Sequence, residues 1–258
     1  MRNGTYVLGA FIDALAWDAA IGRIAQWAHT RQSRVVCLSN VHVVVAASVD
    51  DDLRLAVNGA DMAAPDGTPV AWMLRALGHR DQKRLAGPDL MLRYCAAAEQ
   101  RGQKIFLFGS TPDTLERLQR RLRISYPRLE IAGAISPPFR PLTEDEDSEH
   151  VSQINASGAQ VVFVGLGCPK QELWMHEHRG RIQAVMIGVG AAFDFHAGVV
   201  KRAPAWMQNA GLEWLHRLCS EPRRLWKRYM ITNTVFLLRA TAQLGQHFAS
   251  SARQRLFQ

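Results

Sequence analysis

Three short stretches of the chain hold side chains able to do chemistry. In Pro65-Asp66-Gly67-Thr68-Pro69 one carboxylate stands on a turn, between an apolar approach and a helix start. Thr68 is expected to cap that helix with its hydroxyl, and Pro69 to fill the first helical position, where no backbone N–H is needed. A phosphorylated ligand would sit at the same helix N-terminus. The residues equally satisfy an ordinary Pro-Asp-Gly turn. In Gly167-Cys168-Pro169-Lys170-Gln171-Glu172 a cation and an amide occupy the first turn of a helix. There they can address a diphosphate or sugar hydroxyls, although plain capping also accounts for the pattern. Phe193-Asp194-Phe195-His196 sets a carboxylate and an imidazole among aromatics, where a lone histidine is as readily structural as catalytic.

Two further patterns suggest chemistry and weaken on inspection. Gly165-Leu166-Gly167 and Gly188-Val189-Gly190 resemble dinucleotide-binding turns, but the third glycine of that fingerprint is replaced by Lys170 and Phe193. A dinucleotide-dependent oxidoreductase is therefore the weaker alternative. Asp50-Asp51-Asp52 has the spacing with which many sugar transferases hold a metal–diphosphate, but it lies at a helix start where capping explains it better.

Positioning these residues requires a particular architecture. Apolar runs at Arg34 to Leu38, Lys104 to Gly109, Leu129 to Ile135, Gln160 to Gly165 and Ala184 to Val189 read as strands. Helical patterns fall between them: Val41 to Ala47, Asp51 to Val57, Pro69 to Leu77, Gly87 to Gln100, Thr114 to Arg123, an acidic segment from Thr143, and Lys170 to Arg179. Alternation of this kind indicates an α/β fold, a Rossmann-like parallel sheet covered on both faces by helices. Ligands in such folds sit beyond the carboxyl ends of the strands. The loops at Ser39-Asn40, Pro65 to Gly67, Gly109-Ser110, Gly165 to Pro169 and Gly188 to Gly190 should therefore wall one site.

Composition separates this core from the C-terminal segment. The chain has 258 residues, 48% of them hydrophobic, enough for one large domain. Residues 1–200 balance 21 Lys and Arg against 21 Asp and Glu; residues 201–258 hold 10 against 2, so the whole net charge of +8 lies there. We read 1–200 as the core and 201–258 as a basic, aromatic helical appendage, with one helix from Ala203 to about Glu221 and another over Met230 to Leu244. Such a tail suits an anionic partner: membrane surface, nucleic acid or phosphorylated ligand. The four scattered cysteines show no paired spacing and read as reduced thiols. No signal peptide or bilayer-spanning run is evident, so a cytoplasmic location is expected.

Taken in order, several motifs resemble one family. They are Pro65-Asp66-Gly67, Ala86-Gly87-Pro88-Asp89-Leu90, Phe108-Gly109, Val164 to Glu172, Phe193 to Gly198, Arg202-Ala203-Pro204, and the long block Gly211 to Tyr229. From about Val35 to Tyr229 the chain resembles the WecG/TagA/CpsF glycosyltransferases of bacterial cell-envelope polysaccharide synthesis. The resemblance implies an inverting transfer from a UDP-sugar to a sugar on polyprenyl diphosphate, at the cytoplasmic membrane face. It makes Asp66 the general base, next to Gly67, and Gln171 a substrate contact. Asn40 matches the family's asparagine after the first strand, and Asp194 falls in another family motif. Where the family often has threonine two residues before that asparagine, this chain has Leu38, with Ser39 adjacent. Appendage cations that reach the site correspond to Arg217, Arg224 and either Lys227 or Arg228. No cofactor or metal is implied, the partners are the two substrates and an anionic membrane surface, and a homo-oligomer is left open.

The chemistry agrees with that expectation. A carboxylate can take the acceptor hydroxyl's proton during attack, and arginines can stabilise the departing diphosphate. A single base fits inversion better than retention. A basic, Trp-containing tail has the composition of a surface-lying segment, each cation contributing about 1 kcal/mol near an anionic leaflet. A nucleic-acid-binding tail is the competing account of the charge, and it explains nothing about the strand-end loops. The donor sugar (N-acetylmannosamine, its uronic acid or glucose) is not legible.

Overall fold

The computed structural model describes residues 2–256, with side chains through residue 250. The chain opens on an antiparallel hairpin of β1 (Gly4–Val7) and β2 (Ala10–Asp13), then α1 (Trp17–His29) and β3 (Arg34–Ser39). Next come α2 (Val41–Ala47), α3 (Asp51–Gly59), β4 (Met62–Pro65), α4 (Thr68–Ala76) and α5 (Gly87–Arg101). Strands and helices then alternate: β5 (Ile105–Gly109), α6 (Pro112–Ser125), β6 (Ile131–Ile135), α7 (Glu144–Ala156), β7 (Val161–Gly165), α8 (Lys170–Glu177) and β8 (Val185–Gly188). Four helices close the chain: α9 (Ala192–Ala197), α10 (Ala205–Asn209), α11 (Glu213–Ser220) and α12 (Pro222–Leu256).

Strands β3 to β8 form one parallel sheet in the order β4-β3-β8-β7-β5-β6. Side chains alternate across it, as strand geometry requires. Val35, Cys37, Phe106, Phe108 and Met186 enter one apolar cluster, with Val44 of α2, Met73 of α4, Trp174 of α8 and Phe236 and Ala240 of α12. Val36, Leu38, Ile105, Leu107 and Ile187 enter the other, with Ile24 of α1, Tyr94 of α5, Leu118 of α6 and Phe193 of α9. Strands buried on both faces explain why they read as unbroken apolar runs.

Local signals account for most boundaries. Asp50 caps α3 by accepting from the Leu53 N–H at 3.0 Å, and Asp51 pairs with Arg54, so the Asp50 to Asp52 run serves a helix start. Thr143 and Glu146 form a capping box at the acidic α7, and Gly102 ends α5 in the left-handed conformation. All four cysteines are free thiols, Cys37 and Cys95 buried and Cys219 exposed.

The structure corrects several expectations. Thr68 does not cap α4: Gly67 is the cap residue, and the Thr68 hydroxyl instead donates to the Gln208 carbonyl at 3.5 Å. The helix expected from Ala203 to Glu221 is two, α10 and α11, parted at Gly211, whose φ of 74° no continuous helix accepts. Pro222 opens α12, so Arg217 and Arg224 sit on different helices. Helix α12 runs far beyond Met230 to Leu244, and residues 251–258 of the basic segment lie outside the described side chains. The hairpin, α1 and α9 have no counterpart among the elements expected from the sequence. The hairpin turns through Leu8 and Gly9 with φ of 51° and 90°, and leucine at a left-handed position hides the usual turn signature.

Candidate active site

A cavity of about 1340 Å³ lies beyond the carboxyl ends of the parallel strands. Asn40 follows β3, Asp66 and Gly67 follow β4, Ser110 follows β5, Gly167, Cys168 and Gln171 follow β7, and Gly190 follows β8. The same cavity takes Asp194 from α9, Arg217 from α11, and Arg224 and Arg228 from α12. Of the predicted site residues, Asn40, Asp66, Gly67, Gln171, Asp194, Arg217, Arg224 and Arg228 thus come together. Lys227 is exposed on α12 and is not in the lining. Leu38 lines the cavity, whereas Ser39 is buried outside it and its hydroxyl makes no hydrogen bond.

Asp66 sits on the turn out of β4, its backbone N–H donating to the Ser39 carbonyl at 3.1 Å. Gly67 next to it has φ of 83°, a conformation that favours glycine and lets the chain turn into α4. Burial, and then the negative charge of Glu213, raise the Asp66 pKa to about 7, against the opposing pull of Asn40, Arg84 and Arg202. A carboxyl poised there can gain or lose a proton near neutrality.

Two motifs that the sequence offered without a role, those of Asp89 and Arg202, meet Glu213 of the long C-terminal block beside it. Asp89, in the first turn of α5, accepts two hydrogen bonds from Arg202. Arg202 Nε also donates to Glu213 Oε1 at 3.2 Å, and Arg84 donates to Glu213 Oε2 at 3.1 Å and to Gln208 Oε1 at 2.9 Å. Burial works against the Asp89 charge, yet Arg202 and Arg84 hold its carboxyl below the usual range. Sequence reasoning missed Arg84 and Glu213. The bond that joins them spans 129 residues, and nothing local marks it.

Opposite chemistry is built at the start of α8, entered through a cis Cys168–Pro169 peptide. Gln171 is buried and donates from Nε2 to Glu172 Oε1 at 2.8 Å, while its Oε1 has no partner. That oxygen is an acceptor for a ligand hydroxyl or N–H. Glycines at the strand ends make room for this packing. A Cβ on Gly188 would meet Met175 Cε at 2.8 Å and Gln171 Nε2 at 3.1 Å, and one on Gly165 would meet the Phe193 ring at 2.7 Å. The two Gly-x-Gly turns thus admit the protein's own side chains. Lys170, by contrast, is exposed and lies outside the cavity lining.

The C-terminal helices bring positive charge. Arg217 lies over the Phe195 ring at 5.4 Å, and its Nε, like that of Arg228, is buried without a partner. Arg224 pairs with Glu221 at 2.6 Å. Burial raises the Asp194 pKa despite Arg224 and Arg217 nearby. His42, at the N-terminus of α2, was not singled out from the sequence; burial and Arg228 lower its pKa, and its Nδ1 has no partner. Asp50 to Asp52 contribute nothing here. Among the described residues, no three His, Cys, Asp or Glu side chains are grouped so as to hold a metal ion.

One large cavity at the strand ends thus gathers a carboxyl with its pKa raised to about 7, an unpaired amide oxygen and several guanidinium groups, the parts of a group-transfer site. Residues 5–249 match the Glycosyl transferase WecG/TagA/CpsF family, and the chain belongs to that family. It is also 34% identical, over 197 residues, to the N-acetylglucosaminyldiphosphoundecaprenol N-acetyl-beta-D-mannosaminyltransferase of Bacillus subtilis (strain 168), covering 76% of this chain and 75% of that one. The protein is a glycosyltransferase.

Proposed function

We infer that the enzyme moves a hexose, with inversion, from a UDP-sugar to a sugar carried on polyprenyl diphosphate. The observation that carries this reading is Asp66, part-buried with its pKa near 7, in the same cavity as Arg217, Arg224 and Arg228. Asp66 accepts the proton of the acceptor hydroxyl as that oxygen bonds to the anomeric carbon. The bond from that carbon to the diphosphate breaks, and its electron pair leaves with UDP. Arginines beside the departing oxygens stabilise the charge that forms. Gln171 Oε1 orients a sugar hydroxyl or an N-acetyl N–H. The relative from Bacillus subtilis, named for an N-acetylmannosaminyl donor and an N-acetylglucosaminyl lipid acceptor, makes that pair the first to try.

The C-terminal helices fit work at a membrane surface. No described helix is long and apolar enough to cross a bilayer. On α12, Leu225, Phe236 and Ala240 are buried, whereas Trp226, beside the cation Lys227 in sequence, is 56% exposed and Leu238 67%. A helix with that division suits docking on an anionic leaflet, where a polyprenyl acceptor is found.

The test is transfer from a panel of UDP-sugars to a synthetic short-chain polyprenyl-diphosphate N-acetylglucosamine, with UDP binding measured by calorimetry. Product with inverted anomeric configuration is expected. Retained configuration, or the absence of both UDP binding and transfer, would overturn the reading.

A further inference from the structure

The ionic cluster beside Asp66 has a feature that general-base chemistry does not require. Its central member, Glu213, belongs to α11, which carries Arg217 and leads into α12 with Arg224 and Arg228. Glu213 accepts from Arg84 with one oxygen at 3.1 Å and from Arg202 with the other at 3.2 Å. Arg84 stands on the segment between α4 and α5, and Arg202 between α9 and α10. All three are largely buried, with side chains 23%, 18% and 19% exposed. Neighbouring contacts join the same elements: Gln208 of α10 accepts from Arg84, donates to the Ala203 carbonyl at 2.7 Å, and gives its own carbonyl to Thr68. A carboxylate bridging two buried guanidiniums costs a great deal to remove singly, because the partners left behind stay charged.

We propose that Glu213 is a positioning residue, a latch that seats the C-terminal helices against the core and, only when seated, gives Asp66 the charge surroundings of a working base. This deepens the reading of Asp66 given above and rests on it.

The electrostatics depend on which groups face Asp66. From α11 comes Glu213, from the α4–α5 segment Arg84, from the stretch before α10 Arg202, and from the cap of α2 the Asn40 amide. Asp89 of α5 stands behind Arg202 and takes part of its charge. With Glu213 in place, the two arginines are engaged and the carboxylate adds its own repulsion, so Asp66 holds a proton more tightly. With α11 displaced, Asp66 faces both arginines unopposed and gains water, and each change favours the weakly basic, ionised form. A strong base and the leaving-group cations are thereby assembled by the same movement.

Two substitutions with opposite expected signs test this, read first without any substrate. In protein with carbon-labelled aspartate, Asp66 is assigned by Asp66→Asn and its carboxyl titration followed by NMR. Glu213→Gln should lower its midpoint by about one pH unit, a tenfold loss of proton affinity. Arg202→Met should raise the midpoint, and Glu213→Asp should leave it near the wild-type value. Limited proteolysis between α9 and α11 should be several-fold faster in Glu213→Gln than in wild type. An Asp66 midpoint that ignores both substitutions, or moves the same way in both, overturns the latch, as does unchanged proteolysis. Should Glu213→Gln fail to fold, Arg202→Met still decides the sign. These readouts are independent of turnover. Titrations that move as stated in an enzyme that transfers no sugar would sink the transferase reading alone, and normal transfer with unmoved titrations would sink the latch alone.

Discussion

Asn40 both caps a helix and bears on Asp66. Its Oδ1 accepts from the backbone N–H groups of His42 at 3.0 Å and Val43 at 3.2 Å, capping α2, and the same side chain lowers the Asp66 pKa against the effect of burial. The cap holds the amide in place, so the surroundings of Asp66 are set in part by a helix start on the adjacent strand.

Asn40→Ala should therefore have two separable effects. Loss of the cap should cost about 1 kcal/mol of stability, read as a lower Tm. Loss of the amide that lowers the Asp66 pKa should raise it above about 7, moving the acid limb of the kcat/KM profile to higher pH. A profile that does not move would mean that the amide serves the helix only.

Asp66→Asn keeps the turn and cannot accept a proton. Turnover should fall by about 10²–10⁴-fold with UDP binding retained. A near-normal rate would make Asp66 a turn residue and nothing more. In the wild-type enzyme kcat/KM should fall as pH drops below about 7, where Asp66 becomes protonated.

Gln171→Ala removes the unpartnered acceptor and leaves Glu172 without its donor. A smaller loss than for Asp66→Asn is expected, with KM raised as well as kcat lowered. Unchanged kinetics for every acceptor and donor would assign the amide to packing against Gly188.

Glu172 gives a stability prediction. Burial lifts its pKa from 4.5 to about 7, so between those values the folded chain keeps a proton that the unfolded chain has released. Stability must then fall as pH rises through that window. Tm should drop more steeply from pH 5 to pH 8 in wild type than in Glu172→Gln. Parallel curves would show that the buried carboxyl does not titrate there.

The two sides of α12 should separate in assay. Arg228→Ala should lower turnover even on a short, water-soluble acceptor, because Arg228 lines the cavity and its Nε has no partner. Replacing the exposed Trp226, Ile231 and Leu238 together by serine should weaken sedimentation with anionic vesicles while sparing that soluble reaction. Equal loss in both assays by either variant would contradict the division. Leu225 is unsuited to this test: it is only 1% exposed and would report on packing.

What could be read from the sequence divides by range. Strands buried on both faces gave unbroken apolar runs, and helix starts such as Asp50 and Thr143 carried their caps within three residues. The strand-end loops came from the parallel topology, and with them the neighbourhood of Asn40, Asp66 and Gln171. Long-range pairing was not legible. The Asp89–Arg202 bond spans 113 residues and Arg84–Glu213 spans 129, and neither leaves a periodic or local trace. The hairpin was hidden by Leu8 in a left-handed turn, and the break at Gly211 by the helix-forming residues on either side of it.

The last helix is fastened to the first hairpin. Gln243 donates to the Tyr6 carbonyl at 2.7 Å and accepts from the Leu8 N–H at 3.0 Å, and Phe236 and Ala240 complete the apolar cluster that the sheet and α2 begin. In time, this means that one face of the sheet is not fully covered until α12 has been made. Contacts of such separation form late and slowly. The cations of α11 and α12 reach the cavity only with that closure, so a nascent chain that already possesses Asp66, Asn40 and Gln171 still lacks them there.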